Sequence, residues 1–238
     1  MINFFTEKIK NNENFSFVKL GDGEIDCMIG RNGTNCDNHN YSNELAEKLK
    51  ESFIELSKQG ALFGDWFNSN PPRNQRDVEN INYYSNFINS NNLTIKLVRP
   101  FEVLLTGWGN LSNDNLLNFY KVVKETKRRK IYVGPKVMEG VNKMLNTDYF
   151  VEIPKTNAFD DRDRILSEIK NTLIDDSIII LTVGLMSPYI SSEILKTNKN
   201  VTILDVGSGL DPVFIGSTRS GGQASPSDAI NYYKTILE

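Results

Sequence analysis

Two cysteines and one histidine are all that the 238 residues offer for thiolate or imidazole chemistry. Cys27, Cys36 and His39 are too few, and too irregularly spaced, for a zinc site of the paired-cysteine kind. Cys27 reads as a small buried hydrophobe and Cys36 as a loop thiol. Long apolar runs are also missing. The longest, IIILTVGLM at 178–186, is strand-like, is interrupted by Gly184, and falls well short of the ~20 residues of a membrane span. The first residues, MINFFTEKIKNNENF, lack the apolar core and cleavage site of a signal peptide, so a cytoplasmic protein is expected. Neither charge dominates: 27 Lys and Arg against 30 Asp and Glu leave a net charge of −3. No basic field therefore draws the chain to nucleic acid or to an anionic membrane. The one dense basic run, KRRK at 127–130, is read as cations finishing a helix, where the helix dipole favours them.

What the chain has is ordinary globular composition, 39% hydrophobic and 24% charged, spread over a length that one α/β domain, residues 1–238, can fill. Strand-like runs (15–20, 93–100, 130–135, 149–154, 177–184, 201–207) alternate with helical patterns (42–60, 75–89, 112–126, 136–146, 160–173, 187–197, 227–237). In the first helix Leu45, Leu49, Phe53 and Leu56 share a face, Ser42 can cap the start and Gly60 stops the end. Near-continuous Val/Ile/Leu strands between helices predict a mostly parallel sheet with helices on both faces, a Rossmann-like fold. In such sheets ligands bind beyond the carboxyl ends of the strands. Loops 31–41 and 64–76 are long and polar, suited to a mobile lid or to a plain solvated connection.

One strand end, TILDVGSGLDP at 202–212, is like the opening of an S-adenosylmethionine site. A methyltransferase uses that turn first and several strands afterwards, whereas here Pro212 is followed by 26 residues, enough for one helix. The methyltransferase is kept as a rival, and Asp205, Gly207 and Asp211 need another role. The sharper signal is FSFVKLGDGE, where Asp22 and Glu24 stand two residues apart between Gly21 and Gly23. Glycines let a turn fold tightly enough for both carboxylates to converge. Close carboxylates repel, and a hard divalent cation such as Mg2+ or Mn2+ relieves them while keeping positions open for phosphate oxygens. The competing reading is a solvated turn with Glu24 in the first turn of the next helix. Other strand ends supply anion-binding features: Lys136 at a helix start, Gly184 and Ser187 in the equivalent place after IIILTV, and Arg99 closing LTIKLVR.

Together, FSFVKLGDGE, VRPF, VGPKVMEGVN, PKTNAFDDRDRIL, ILTVGLMSP and LDVGSGLDP resemble the bacterial GT-D-type glycosyltransferases, in that family's order and over residues 15 to 215. The resemblance implies a nucleotide-sugar donor, commonly UDP-glucose, a glycan or glycoconjugate acceptor, and a divalent metal served by Asp22 and Glu24. It also marks Arg99, Lys136, Asn157, Gly184 and Asp205 as donor-pocket residues. Two departures stand out. Ser208 replaces a histidine that many members carry after the last strand, and Lys19 replaces an arginine before the acidic turn. The resulting expectation is a metal-dependent hexosyltransferase in which Asp205 or Asp211 contacts donor hydroxyls or acts as base. A non-catalytic nucleotide-binding module is the second rival.

Overall fold

The computed structural model describes residues 2–31, 40–65, 72, 74–98, 114–216, 218 and 224–238. Seven strands form one sheet in which every pairing is parallel: β1 (Ser16–Leu20), β2 (Leu62–Asp65), β3 (Lys96–Val98), β4 (Lys130–Pro135), β5 (Tyr149–Ile153), β6 (Ile178–Leu181) and β7 (Thr202–Asp205). Their order across the sheet is β3-β2-β1-β7-β6-β4-β5. Ten α-helices join them among the described residues. These are α1 (Ile2–Lys10), α2 (Asp22–Met28), α3 (Asn43–Lys58), α4 (Gln75–Ser90), α5 (Asp114–Glu125), α6 (Gly140–Leu145), α7 (Arg162–Thr172), α8 (Ser187–Thr197), α9 (Asp211–Phe214) and α10 (Pro226–Leu237).

The sheet is covered on both faces, as its composition demands. Alternate residues of each strand point into two separate cores. Val18, Leu20, Ile179, Leu181 and Ile203 meet α2, α3, α4, α7 and α8. Phe17, Ile178, Ile180 and Leu204 meet α1, α5, α6 and α10. The strand interiors are almost wholly apolar, with β6 buried at all four positions, which is why they read so clearly as strands.

Four elements lie outside the pattern, one of them the single-turn α9 with Pro212 at its amino end, where proline is tolerated. Helix α1 lays Ile2, Phe5 and Ile9 against the second core, with Phe5 stacked 5.2 Å from Phe15. Strand β2 is four residues long and contains Gly64, too short to show a period; its place between β1 and β3 makes it a strand. Helix α2 begins inside the stretch taken for an open turn. The basic run also departs from a solvated helix end. Lys130 does donate to the carbonyl of Thr126 at 2.8 Å, just beyond the end of α5. Arg128, however, is buried at the amino edge of the sheet and donates to the Asp176 carbonyl (2.7 Å) and the Thr202 hydroxyl (2.8 Å).

One place on the opposite, carboxyl edge is special. After β1 the chain enters α2 and α3 on the first face, and after the neighbouring β7 it enters α9 and α10 on the second. Connections that diverge to opposite faces leave a crevice between the two strands, the site where open parallel sheets bind ligands.

Candidate active site

The crevice is built by charges in two otherwise apolar strands. Lys19 on β1 and Asp205 on β7 are 7% and 3% exposed. Register pairs Ser16 with Ile203 and Phe17 with Leu204, and beyond them the Lys19 backbone N–H donates to Asp205 Oδ2 at 2.9 Å instead of to a β7 carbonyl. The Lys19 ammonium crosses to the carbonyl of Val206. Burial raises the Asp205 pKa above the usual carboxyl value, while the Lys19 charge, the Lys19 N–H, Ser187 and the Gly207 N–H oppose that rise. The Ser187 hydroxyl, at the start of α8, favours the carboxylate without completing a hydrogen bond of regular geometry. Asp205 thus ties β1, β7, α8 and the turn at Gly207 together, its side chain directed inward.

Directly beyond Leu20, Gly21 caps α2, and Asp22 and Glu24 lie in the helix's first turn. Glu24 folds back so that its Oε2 accepts the Gly21 N–H at 2.8 Å, and Asp22 Oδ1 accepts the Gly23 N–H at 3.1 Å. A glycine cap has no side chain of its own, so Glu24 and Asp22 supply the oxygens that meet N–H groups at the helix start. Enclosure of the Glu24 carboxyl pushes its pKa up to about 7, with the charges of Asp205 and Asp22 adding to the rise. Three acidic groups therefore sense one another at the mouth of the crevice.

Would these residues suit a divalent cation? Among the described residues no three His, Cys, Asp or Glu side chains converge closely enough to hold one. A magnesium-like site needs less: one or two carboxylates, with water and substrate phosphates completing the shell. Asp22 and Glu24 supply hard oxygen donors, and each carboxylate has more acceptor positions than its backbone N–H contacts occupy. Burial is the main cause of the raised Glu24 pKa and the charges of Asp205 and Asp22 add to it; a cation would oppose both effects. The donor set fits.

The other expected residues spread along the same edge. Gly184, at φ +57°, opens the short turn that leads into α8 and so puts Ser187 beside Asp205. Asp211 belongs to a neighbouring group: it accepts from the Thr218 hydroxyl and its charge reaches Tyr132, whose hydroxyl pairs with Thr182 at 2.8 Å. Lys136 follows β4 but is exposed, paired with Glu139 at 2.8 Å and 5.9 Å from the Phe150 ring. Asn157, in the left-handed region after β5, accepts the Asn40 N–H at 2.7 Å. Neither Lys136 nor Asn157 contacts the Asp22–Glu24–Asp205 group in this structure. Arg99, Cys36 and His39 lie outside the described residues. Cys27 is buried, and burial pushes its thiol up to about 12.

No protein-family model matches the chain, and neither does any curated protein. Solved structures do. One is described as a selenomethionine-substituted structure of domain of unknown function 1792. A second is described in the words "the highly conserved domain of unknown function 1792 has a distinct glycosyltransferase fold". Each aligns over 100% of this chain and 88% of its own, with a TM-score of 0.63 and 19% identity. The chain has the fold of that domain.

On that fold, two charged residues have little in the sequence to announce them, Lys19 in the crevice and Asp26 on α2. Lys19 shows in the sequence only as a departure from a family pattern. The signal available was a single cation in an otherwise apolar buried strand, which demands a partner such as the single aspartate of β7. Asp26 carried no signal at all, because its partners Arg31, Arg76 and Asn80 come from the end of α2 and from α4.

Proposed function

We propose that the protein is a metal-dependent glycosyltransferase that moves a sugar, glucose or a related hexose, from a nucleotide-diphosphate donor such as UDP-glucose to a glycan or glycoconjugate acceptor. The observation that carries this reading is the placement of Asp22 and Glu24 on the first turn of α2, at the mouth of the crevice between β1 and β7. The glycosyltransferase fold ascribed to the neighbouring domain agrees with it. A cytoplasmic location belongs to the same reading, and among the described residues no helix is long and apolar enough to cross a membrane.

In this mechanism Asp22 and Glu24 hold Mn2+ or Mg2+. When bound, that ion neutralises charge developing on the leaving diphosphate. The amino end of α8, reached through Gly184, offers backbone N–H groups to the donor, and the buried Ser187 serves the donor pocket through Asp205. Gly207 lets the donor approach the backbone beside β7, Lys136 supplies a cation farther along the edge, Asn157 lines the β5 side, and Arg99 is kept as a donor-binding cation on the sequence resemblance. Asp205 and Asp211 act through donor hydroxyls or as base.

The test is UDP release from a panel of UDP-sugars as Mn2+ is varied. Asp22→Asn and Glu24→Gln are each expected to lower turnover at least about 100-fold, the size of a lost preorganised electrostatic group. The double variant should lose little more than the worse single one, since the two act as a unit. Near-wild-type turnover by either single variant at low Mn2+ rejects the assignment. Binding of nucleotide without metal or turnover would favour a binding module, and stabilisation by S-adenosylmethionine alone a methyltransferase.

A further inference from the structure

Asp26 is the wholly buried carboxylate of α2. Its Oδ1 accepts from Arg31 Nη1 at 3.0 Å and from Asn80 Nδ2 at 3.1 Å, and its Oδ2 takes the Arg76 guanidinium. The two arginines are not equivalent. Arg31 also pairs with Glu79, so its fork is shared between two carboxylates. Arg76, whose side chain is 45% exposed, has Asp26 as its hydrogen-bond partner among the described residues. Asp22 precedes Asp26 by four residues on α2, and residues four apart share a helix face. The Arg76 guanidinium held by Asp26 therefore lies on the side of α2 that Asp22 opens, within reach of the Asp22 charge though not paired with it directly. The charges agree with the geometry, since Asp22 adds to the stabilisation of the Arg76 cation that Asp26 begins.

We propose that Arg76 is the resident counter-charge of Asp22 in the metal-free protein, and that it makes divalent cation and nucleotide diphosphate bind interdependently. The inference rests on the reading of Asp22 and Glu24 as cation ligands. A cation arriving alone meets a fixed positive charge close to one of its ligands, so it binds weakly. A diphosphate gives the guanidinium and the cation a common anionic partner, and Arg76 then favours the ternary complex it had opposed. Coupling of this kind is reciprocal, so cation must tighten diphosphate by the factor that diphosphate tightens cation.

The experiment is calorimetric titration of Mn2+ into the whole protein with and without UDP, corrected for the Mn2+–UDP complex measured alone. Wild type, Arg76→Gln, Arg76→Lys and Arg31→Gln are compared. Arg76→Gln should bind Mn2+ alone about three- to tenfold more tightly, the scale of one partly screened charge, and UDP should enhance that binding less than in wild type. Arg76→Lys keeps the charge and should stay near wild type. Arg31→Gln disturbs Asp26 without touching Asp22's counter-charge and should do the same. Unchanged affinity in Arg76→Gln overturns the inference, as does an equal shift in Arg76→Lys or Arg31→Gln. If wild type binds no Mn2+ with or without UDP, the cation reading of Asp22 and Glu24 falls with it; Mn2+ binding that ignores Arg76 removes the inference alone.

Discussion

Gly207 sits at φ +53°, and a Cβ built on it would overlap the Lys19 ammonium. Two independent reasons thus keep a side chain away: a left-handed backbone that costs other residues about 1–3 kcal/mol, and a buried cation that cannot shift without leaving the Val206 carbonyl. Gly207→Ala should therefore lower unfolding free energy by about 1–3 kcal/mol in urea titration, and an unchanged midpoint would refute this. From the sequence, Gly207 was visible as a glycine at a strand end but not as the lid over a lysine. The neighbour that decides it comes from β1, 188 positions earlier in a chain whose order alone does not say which strands touch. Asp22 and Glu24 were easier to find, because two acids between glycines advertise themselves locally.

The element that most changes the chemistry is α2. The sequence allows two readings of its first turn, a pair of carboxylates gathered on a cation or a solvated turn with Glu24 starting the next helix. The structure shows Glu24 bonded to Gly21 as a helix-capping residue, with the charges of Asp205 and Asp22 acting on it. A pH dependence follows. In the metal-free protein the Glu24 pKa is raised from 4.5 to about 7, so the folded state binds this proton more tightly than the unfolded state does. The contribution to stability is fully present below about 4.5 and is lost as pH rises through about 7. Urea unfolding in chelator from pH 5 to 8.5 should show wild type losing about 1–3 kcal/mol relative to Glu24→Gln over that range. Parallel curves for the two proteins would mean that the Glu24 carboxyl is ordinary.

At the scale of the whole molecule, protection should follow position in the sheet. β6 is buried at every position between β4 and β7, whereas β3 is an edge strand with two exposed residues of three. Amides of β6 should exchange with solvent only through global unfolding and those of β3 through smaller openings, measured residue by residue by hydrogen exchange. Equal protection of β3 and β6 would contradict the strand order. The alternation of strands and helices made the two-faced sheet legible in advance, because buried parallel strands are written in continuous Val, Ile and Leu. Strand order was not legible, since no residue of β1 announces that β7 lies beside it. That adjacency also has a history in time. The Lys19–Asp205 contact joins positions 186 apart, so a ribosome adding about 5–20 residues per second makes β1 roughly 10–40 s before its partner exists. The acidic turn is among the first pieces of the crevice to be synthesised and among the last to be enclosed. An incomplete chain carries the carboxylates of Asp22 and Glu24 without Asp205, whose charge helps to raise the Glu24 pKa, because β7, in the middle of the sheet, is the last strand to be made.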